Sequence, residues 1–145
     1  MNGVKLAVNA SAKQNIAQKD AFRYIAGAGF DGVFTDWHEG DSAEEWANEI
    51  ARAGLIYQSV HAPFGHVETL WDEGEEGDLF TDVMIRCLLD CHRADVPVMV
   101  VHPIKGMDRH TPTELGLCRF ARLIEEAEKT SVRLAFENVE GIEYL

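Results

Sequence analysis

Three short, largely apolar runs in this chain each lead directly into a polar, ligand-capable residue. Ile56-Tyr57-Gln58-Ser59-Val60 leads into His61, Val98-Met99-Val100-Val101 into His102, and Val132-Arg133-Leu134-Ala135-Phe136 into Glu137. Runs of this length, separated by longer segments with helical periodicity, are the pattern of buried parallel strands joined by helical crossovers. The same alternation starts earlier in the chain. Residues 4–8 read as a first strand and 19–28 as a helix with Phe22, Ile25 and Ala26 at helical spacing and Gly29 as its stop. Residues 32–35 read as a second strand. Ser42 caps a helix over 43–53, with Glu45 at the capping-box position and Gly54 closing it.

After the third strand comes a long connection, 62–77, against the roughly 2–6 residues of most β/α loops. It carries Phe64, His66 and Trp71 and ends in the acidic stretch 72–78, which reads as a solvated loop. The connection is expected to form a pocket wall or lid. A helix is expected over 78–93. Thr113 or Thr111 starts another, reaching about residue 130, with Leu115, Leu117, Phe120, Leu123, Ile124 and Ala127 on its buried side. Residues 142–145 look like the first turn of a further helix.

Alternating strands and helices imply parallel pairing through right-handed crossovers. Either a doubly wound open sheet or a barrel fits this layout. Two features favour the barrel. Val8-Asn9-Ala10-Ser11-Ala12 stands where a glycine-rich phosphate loop would follow the first strand, and polar residues fall at every strand end rather than at one switch point. The expected fold is α/β, a single domain over residues 1–145 built as a parallel (β/α) barrel of TIM type.

Charge narrows the partners. Twenty-five Asp and Glu against 13 Lys and Arg give a formal net charge of −12, which disfavours a phosphate backbone as ligand. Three cysteines, Cys87, Cys91 and Cys118, show no disulfide-like spacing, as expected in a reducing compartment. Residues 1–12 lack the apolar core of a secretory signal, and no run approaches the roughly 18 apolar residues of a membrane span. The expectation is a cytoplasmic protein with no membrane partner.

His61, His102 and Glu137 in one register on successive strands form a constellation. A carboxylate at a barrel mouth is costly to bury without a partner, and a divalent cation is such a partner. Asn9 and the trio Asp36-Trp37-His38 also end strands and are candidates to line the pocket, Trp37 as an apolar face. Lys105 and Arg109 follow His102 and read as solvated loop charges that are also placed to meet a phosphate. Cys87, Cys91 and His92 fall at helical spacing among Val83, Leu88 and Leu89, and the cysteines read as small buried residues rather than ligands.

With His61-Ala62-Pro63 after the third strand, His102-Pro103 after the fourth and Glu137-Asn138 after the fifth, the chain resembles the xylose-isomerase-like TIM barrels. These include sugar and sugar-phosphate isomerases and epimerases, inosose dehydratases and endonuclease IV-type nucleases. The resemblance implies that Glu137 binds a metal and acts as acid/base, with His102 beside substrate or metal. It makes His61 a pocket residue or, as in the nuclease branch, a third ligand together with His102 and Glu137. Asn138 joins His61, Trp37 and Asn9 as an expected substrate contact. The implied cofactor is Mn, Mg or Co, with Zn as the alternative that extra imidazoles favour.

The resemblance implies a metal-dependent isomerase or epimerase of a small sugar or sugar phosphate, working through an enediolate. The alternatives are a zinc-dependent endonuclease IV-type phosphodiesterase and a catalytically incomplete half-barrel serving as an interaction module. About five of the family's eight β/α units are expected here, and the remaining ligands of the family come from strands six to eight. The chain is therefore expected to be the N-terminal portion of a longer barrel, or else a homo-oligomer that covers its open strand edges.

Overall fold

The structure is a computed structural model that describes residues 5–10, 16–105 and 112–137. Five strands and four helices alternate along it: β1 (Ala7–Asn9), α1 (Gln18–Gly27), β2 (Gly32–Asp36), α2 (Ala43–Arg52), β3 (Ile56–His61), α3 (Glu75–Arg93), β4 (Val98–Val101), α4 (Glu114–Ala127) and β5 (Arg133–Phe136). A 3₁₀ turn, Val67–Leu70, sits between β3 and α3.

The strands pair in the order β1-β2-β3-β4-β5, all parallel. Strict sequential order contains no switch point, so successive right-handed crossovers lay every helix on the same face of the sheet. That decides between the two layouts the sequence permits. The protein is an incomplete (β/α) barrel of about five units, with β1 and β5 at its edges.

Local chemistry explains the element ends. The Ser42 hydroxyl accepts from the Glu45 amide at 3.3 Å, and the Thr113 hydroxyl accepts from the Gly116 amide at 3.1 Å, so both predicted caps are made. Gly29 and Gly54 follow α1 and α2 with φ of 88° and 78°, a turn that an L side chain adopts only under strain.

Two buried clusters lie on the helix side. The larger joins Val60, Met99 and Val101 of the sheet to Met84, Cys87 and Leu88 of α3 and to Phe120 and Leu123 of α4. The smaller joins Phe22 of α1 and Ile50 of α2 to Val33 of β2. Full burial of each such side chain is worth about 1.5–3 kcal/mol. Trp46 and Tyr57 pack against both clusters.

Several boundaries differ from expectation. α3 starts at Glu75, so part of the acidic stretch expected as loop is its first turn; Glu75, Glu76 and Asp78 there complement the helix dipole. In α4, Leu115, Leu117 and Ile124 are exposed, while Gly116, Arg119, Phe120, Leu123 and Ala127 are buried. α4 stops at Ala127, short of residue 130. β1 begins at Ala7 rather than residue 4, which lies outside the described residues, as do Arg109, Thr111, Asn138 and 142–145. Cys87 and Cys91 are core residues, and His92 is exposed, with its Nδ1 3.4 Å from the Ser131 hydroxyl. No helix among the described residues is long and apolar enough to cross a membrane.

Candidate metal centre

Strand register assembles the centre. His61 at the end of β3 pairs with Val100, and the Ala62 amide donates to the Val100 carbonyl at 2.9 Å. His102 lies two residues past Val100. Phe136 pairs with Val101, and the Glu137 amide donates to the Val101 carbonyl at 3.0 Å, which puts Glu137 beside His102. Along β4, Met99 and Val101 are buried under the helices and Val98 and Val100 are only half-buried. His102 continues the Val98–Val100 register and so belongs to the sheet face away from the helices.

The three side chains converge. The two Nε2 atoms are 2.5 Å apart; Glu137 Oε2 is 3.2 Å from His102 Nε2 and 3.9 Å from His61 Nε2. The imidazoles are largely buried, at 16% and 9% side-chain exposure for His61 and His102, while the Glu137 side chain keeps 54%. The Ala62 carbonyl lies 3.0 Å from His61 Nδ1 and can only accept, so Nδ1 carries the proton and Nε2 presents a lone pair. Burial, and next the neighbouring His61, hold His102 below the ordinary histidine pKa; Glu137 pulls the other way. A neutral imidazole is the ligating form.

This donor set fits a divalent cation. The three ligand atoms all lie within 4.8 Å of one another. Donors about 2.1 Å from a shared tetrahedral ion stand about 3.4 Å apart, close to the 3.2 Å His102–Glu137 separation, while the two imidazoles, 2.5 Å apart, must spread. His61 has the backbone partner on Nδ1 that orients a metal-binding histidine. His102 Nδ1 is buried and has no partner among the described residues.

The β3–α3 connection forms the wall of the centre. Phe64 stacks on the His102 ring, with centroids 5.0 Å apart and planes 20° apart, and meets His61 edge-on at 5.2 Å. The connection is anchored from α4 by Arg119. Its guanidinium donates to the carbonyls of Thr69, Leu70, Asp72 and Gly74 at 2.7–3.1 Å and to the Asp78 carboxylate at 2.9 Å. That contact holds the Asp78 carboxyl below the ordinary aspartate pKa. Trp71 adds an indole bond to the Pro103 carbonyl at 2.7 Å, and the Thr113 hydroxyl donates to the Trp71 carbonyl at 2.8 Å. Gly77 and Gly116 leave the room: a Cβ on Gly77 would lie 2.2 Å from the Arg119 guanidinium, and one on Gly116 2.2 Å from the Trp71 ring.

The other sequence candidates are spread around this core. Asn9 donates to the Asp36 carboxylate at 3.4 Å, and Asp36 is in register with His61. Trp37 is buried; its indole N–H donates to Asp90 Oδ2 at 2.8 Å, and the same oxygen accepts from the Ala43 amide at 2.8 Å. His38 turns back to Asp41, with its Nδ1 3.2 Å from that carboxylate. Trp37, His61, Phe64, His66 and Lys105 share the wall of a cavity of about 540 Å³ between the β2–α2 and β3–α3 connections. Asp90 and Arg119 were not among the sequence candidates, whereas Phe64 belongs to the connection expected to form a pocket wall or lid. The only signal for Arg119 was an arginine among the apolar positions of α4.

The fold and the cluster together define a partial (β/α) barrel with a candidate divalent-metal site at its strand-end mouth. The chain belongs to the xylose isomerase-like TIM barrel family, whose model matches residues 22–144. No curated protein matches it. Among solved structures it is similar to L-ribulose 3-epimerase, at 14% identity and TM-score 0.76 over 94% of this chain and 50% of that one. It is similar to a D-tagatose 3-epimerase-like protein at 17% and 0.73 over 96% and 54%. It is also similar to an AP endonuclease, family 2, from Brucella melitensis at 20% and 0.67 over 93% and 55%. At these identities the likeness is one of fold, and the chain spans about half the length of the proteins it matches.

Proposed function

We propose that the barrel to which these five units belong interconverts sugars or sugar phosphates by proton transfer at a carbon next to a carbonyl, with Glu137 as the base. The observation that carries the reading is the convergence of His61 Nε2, His102 Nε2 and Glu137 Oε2 at one strand-end mouth. The Glu137 side chain is half-exposed, which leaves room for one oxygen to ligate while the other meets a substrate. Burial lowers the His102 pKa, which favours the neutral imidazole that can ligate a cation. A divalent cation held here supplies the charge that stabilises the developing enediolate oxygens. Asn9, Trp37 and Asn138 are proposed as substrate contacts. The net charge of −12 and the sugar-epimerase names among the similar structures support a sugar over a nucleic acid.

The test uses the full-length protein, a ketohexose and Mn²⁺ or Co²⁺ in D₂O, with NMR following the carbon-bound proton next to the carbonyl. Solvent deuterium should enter that position, and Glu137→Gln should abolish the exchange. A wild type that catalyses no exchange on any ketose or ketose phosphate removes the reading. The two-imidazole, one-carboxylate donor set also suits Zn²⁺, which favours as second reading a phosphodiesterase acting on abasic-site DNA. Zn²⁺-dependent nicking of such DNA, without sugar exchange, would replace the first reading by the second.

A further inference from the structure

We propose that the cavity beside the metal centre is a subsite for an aromatic substituent, so that the preferred ligand is a sugar carrying an aryl group rather than a bare monosaccharide. The inference rests on the proposed function in one respect: it takes the sugar to sit at the His–Glu cluster.

The cavity, about 540 Å³, lies within the roughly 300–1,000 Å³ of small-molecule sites and has more room than one sugar ring fills. It is continuous with the centre, because His61 and Phe64 belong to both. A substituent on a sugar held at His61 therefore enters it directly. The chemistry of the walls selects the substituent. Trp37, Phe64, Phe80 and Val83 supply aromatic and aliphatic surface from three separate stretches of chain. Trp37 brings the one polar atom to this apolar floor, and its indole N–H is already spent on Asp90 inside the protein. Only the carbon surface of the indole remains. At the rim, Glu39 pairs with Arg86 and Asp36 accepts from Asn9. His38, His66 and Lys105 also line the cavity, but its exposed wall is mainly apolar, so an aromatic ring would bury more carbon surface there than hydroxyl groups would.

The test compares phenyl β-D-glucopyranoside with methyl β-D-glucopyranoside as probes of the full-length wild-type protein by calorimetric titration. Saturation-transfer NMR maps which protons of the phenyl probe touch the protein, and a Co²⁺ titration is run in parallel. The phenyl probe should bind at least about tenfold more tightly, with the strongest saturation on its ring protons. Val83→Trp, which fills the cavity, should erase the preference and leave Co²⁺ binding unchanged. Equal affinities, no binding of either probe, saturation confined to the sugar protons, or a preference that survives Val83→Trp would each overturn the proposal. If Val83→Trp does not fold, the wild-type comparison and its saturation map decide alone. A protein that prefers the phenyl probe but binds no Co²⁺ keeps the subsite and loses the metal reading, so the two fail separately.

Discussion

Replacing Arg119 with methionine should detach the wall of the metal centre from α4. Methionine keeps much of the buried aliphatic stem and removes every donor. The carbonyls of Thr69, Leu70, Asp72 and Gly74 then lose their partner. Only the Leu70 bond is buried; the other three are half-buried, where water can take over part of the role. At about 0.5–1.5 kcal/mol for each lost bond, the loss is about 3 kcal/mol. Asp78 lies at the surface, where solvent screening makes its share small. This agrees with the ~3–5 kcal/mol usual when one partner of a buried charged network is removed. With a urea m-value of about 2 kcal/mol per molar, the midpoint should fall by about 1.5 M. Equilibrium urea denaturation followed by tryptophan fluorescence measures it. A fall of less than about 0.3 M would refute the view that Arg119 anchors residues 69–74, since carbonyls that lose so little are already served by water.

Three further outcomes follow from the same structure. Gly116→Ala, which would stabilise an ordinary helix interior, should cost about 1–3 kcal/mol here because the new methyl meets the Trp71 ring; thermal unfolding measures the sign. Asp90→Ala should cost about 2–4 kcal/mol by stranding the Trp37 indole N–H and the Ala43 amide, with a fluorescence shift reporting the freed indole. Acidification should destabilise the metal-free protein through His102. Its folded pKa is lowered, so as pH falls from about 6.5 the unfolded chain takes up the proton first and stability declines until the folded value is passed. Urea midpoints in EDTA from pH 7 downward should show this decline, and His102→Asn should flatten that part of the curve.

What could be read from the sequence was what depends on near neighbours or on strand periodicity. The Ser42 and Thr113 caps reach three residues, and Gly29 and Gly54 act where they stand. The ends of β3, β4 and β5 at His61, His102 and Glu137 follow from alternation, and one register on parallel strands is enough to bring the three side chains together. What could not be read depends on partners 45 to 53 residues away, such as Arg119 with the Thr69–Gly74 carbonyls or Trp37 with Asp90.

α4 shows why the buried face of a helix can be misread. Hydrophobicity alone selects Leu115, Leu117 and Ile124, all exposed, and passes over Gly116 and Arg119, both buried. The buried positions 116, 119, 120, 123 and 127 keep helical spacing, but two of them serve the β3–α3 connection instead of the apolar core. Gly116 is empty so that Trp71 can pack there, and Arg119 is polar because a connection that folds over the barrel mouth presents carbonyls, not methyl groups. Both residues support the segment that presses Phe64 onto His102, so the departure from simple patterning on α4 lies where the fold builds the wall of its metal centre.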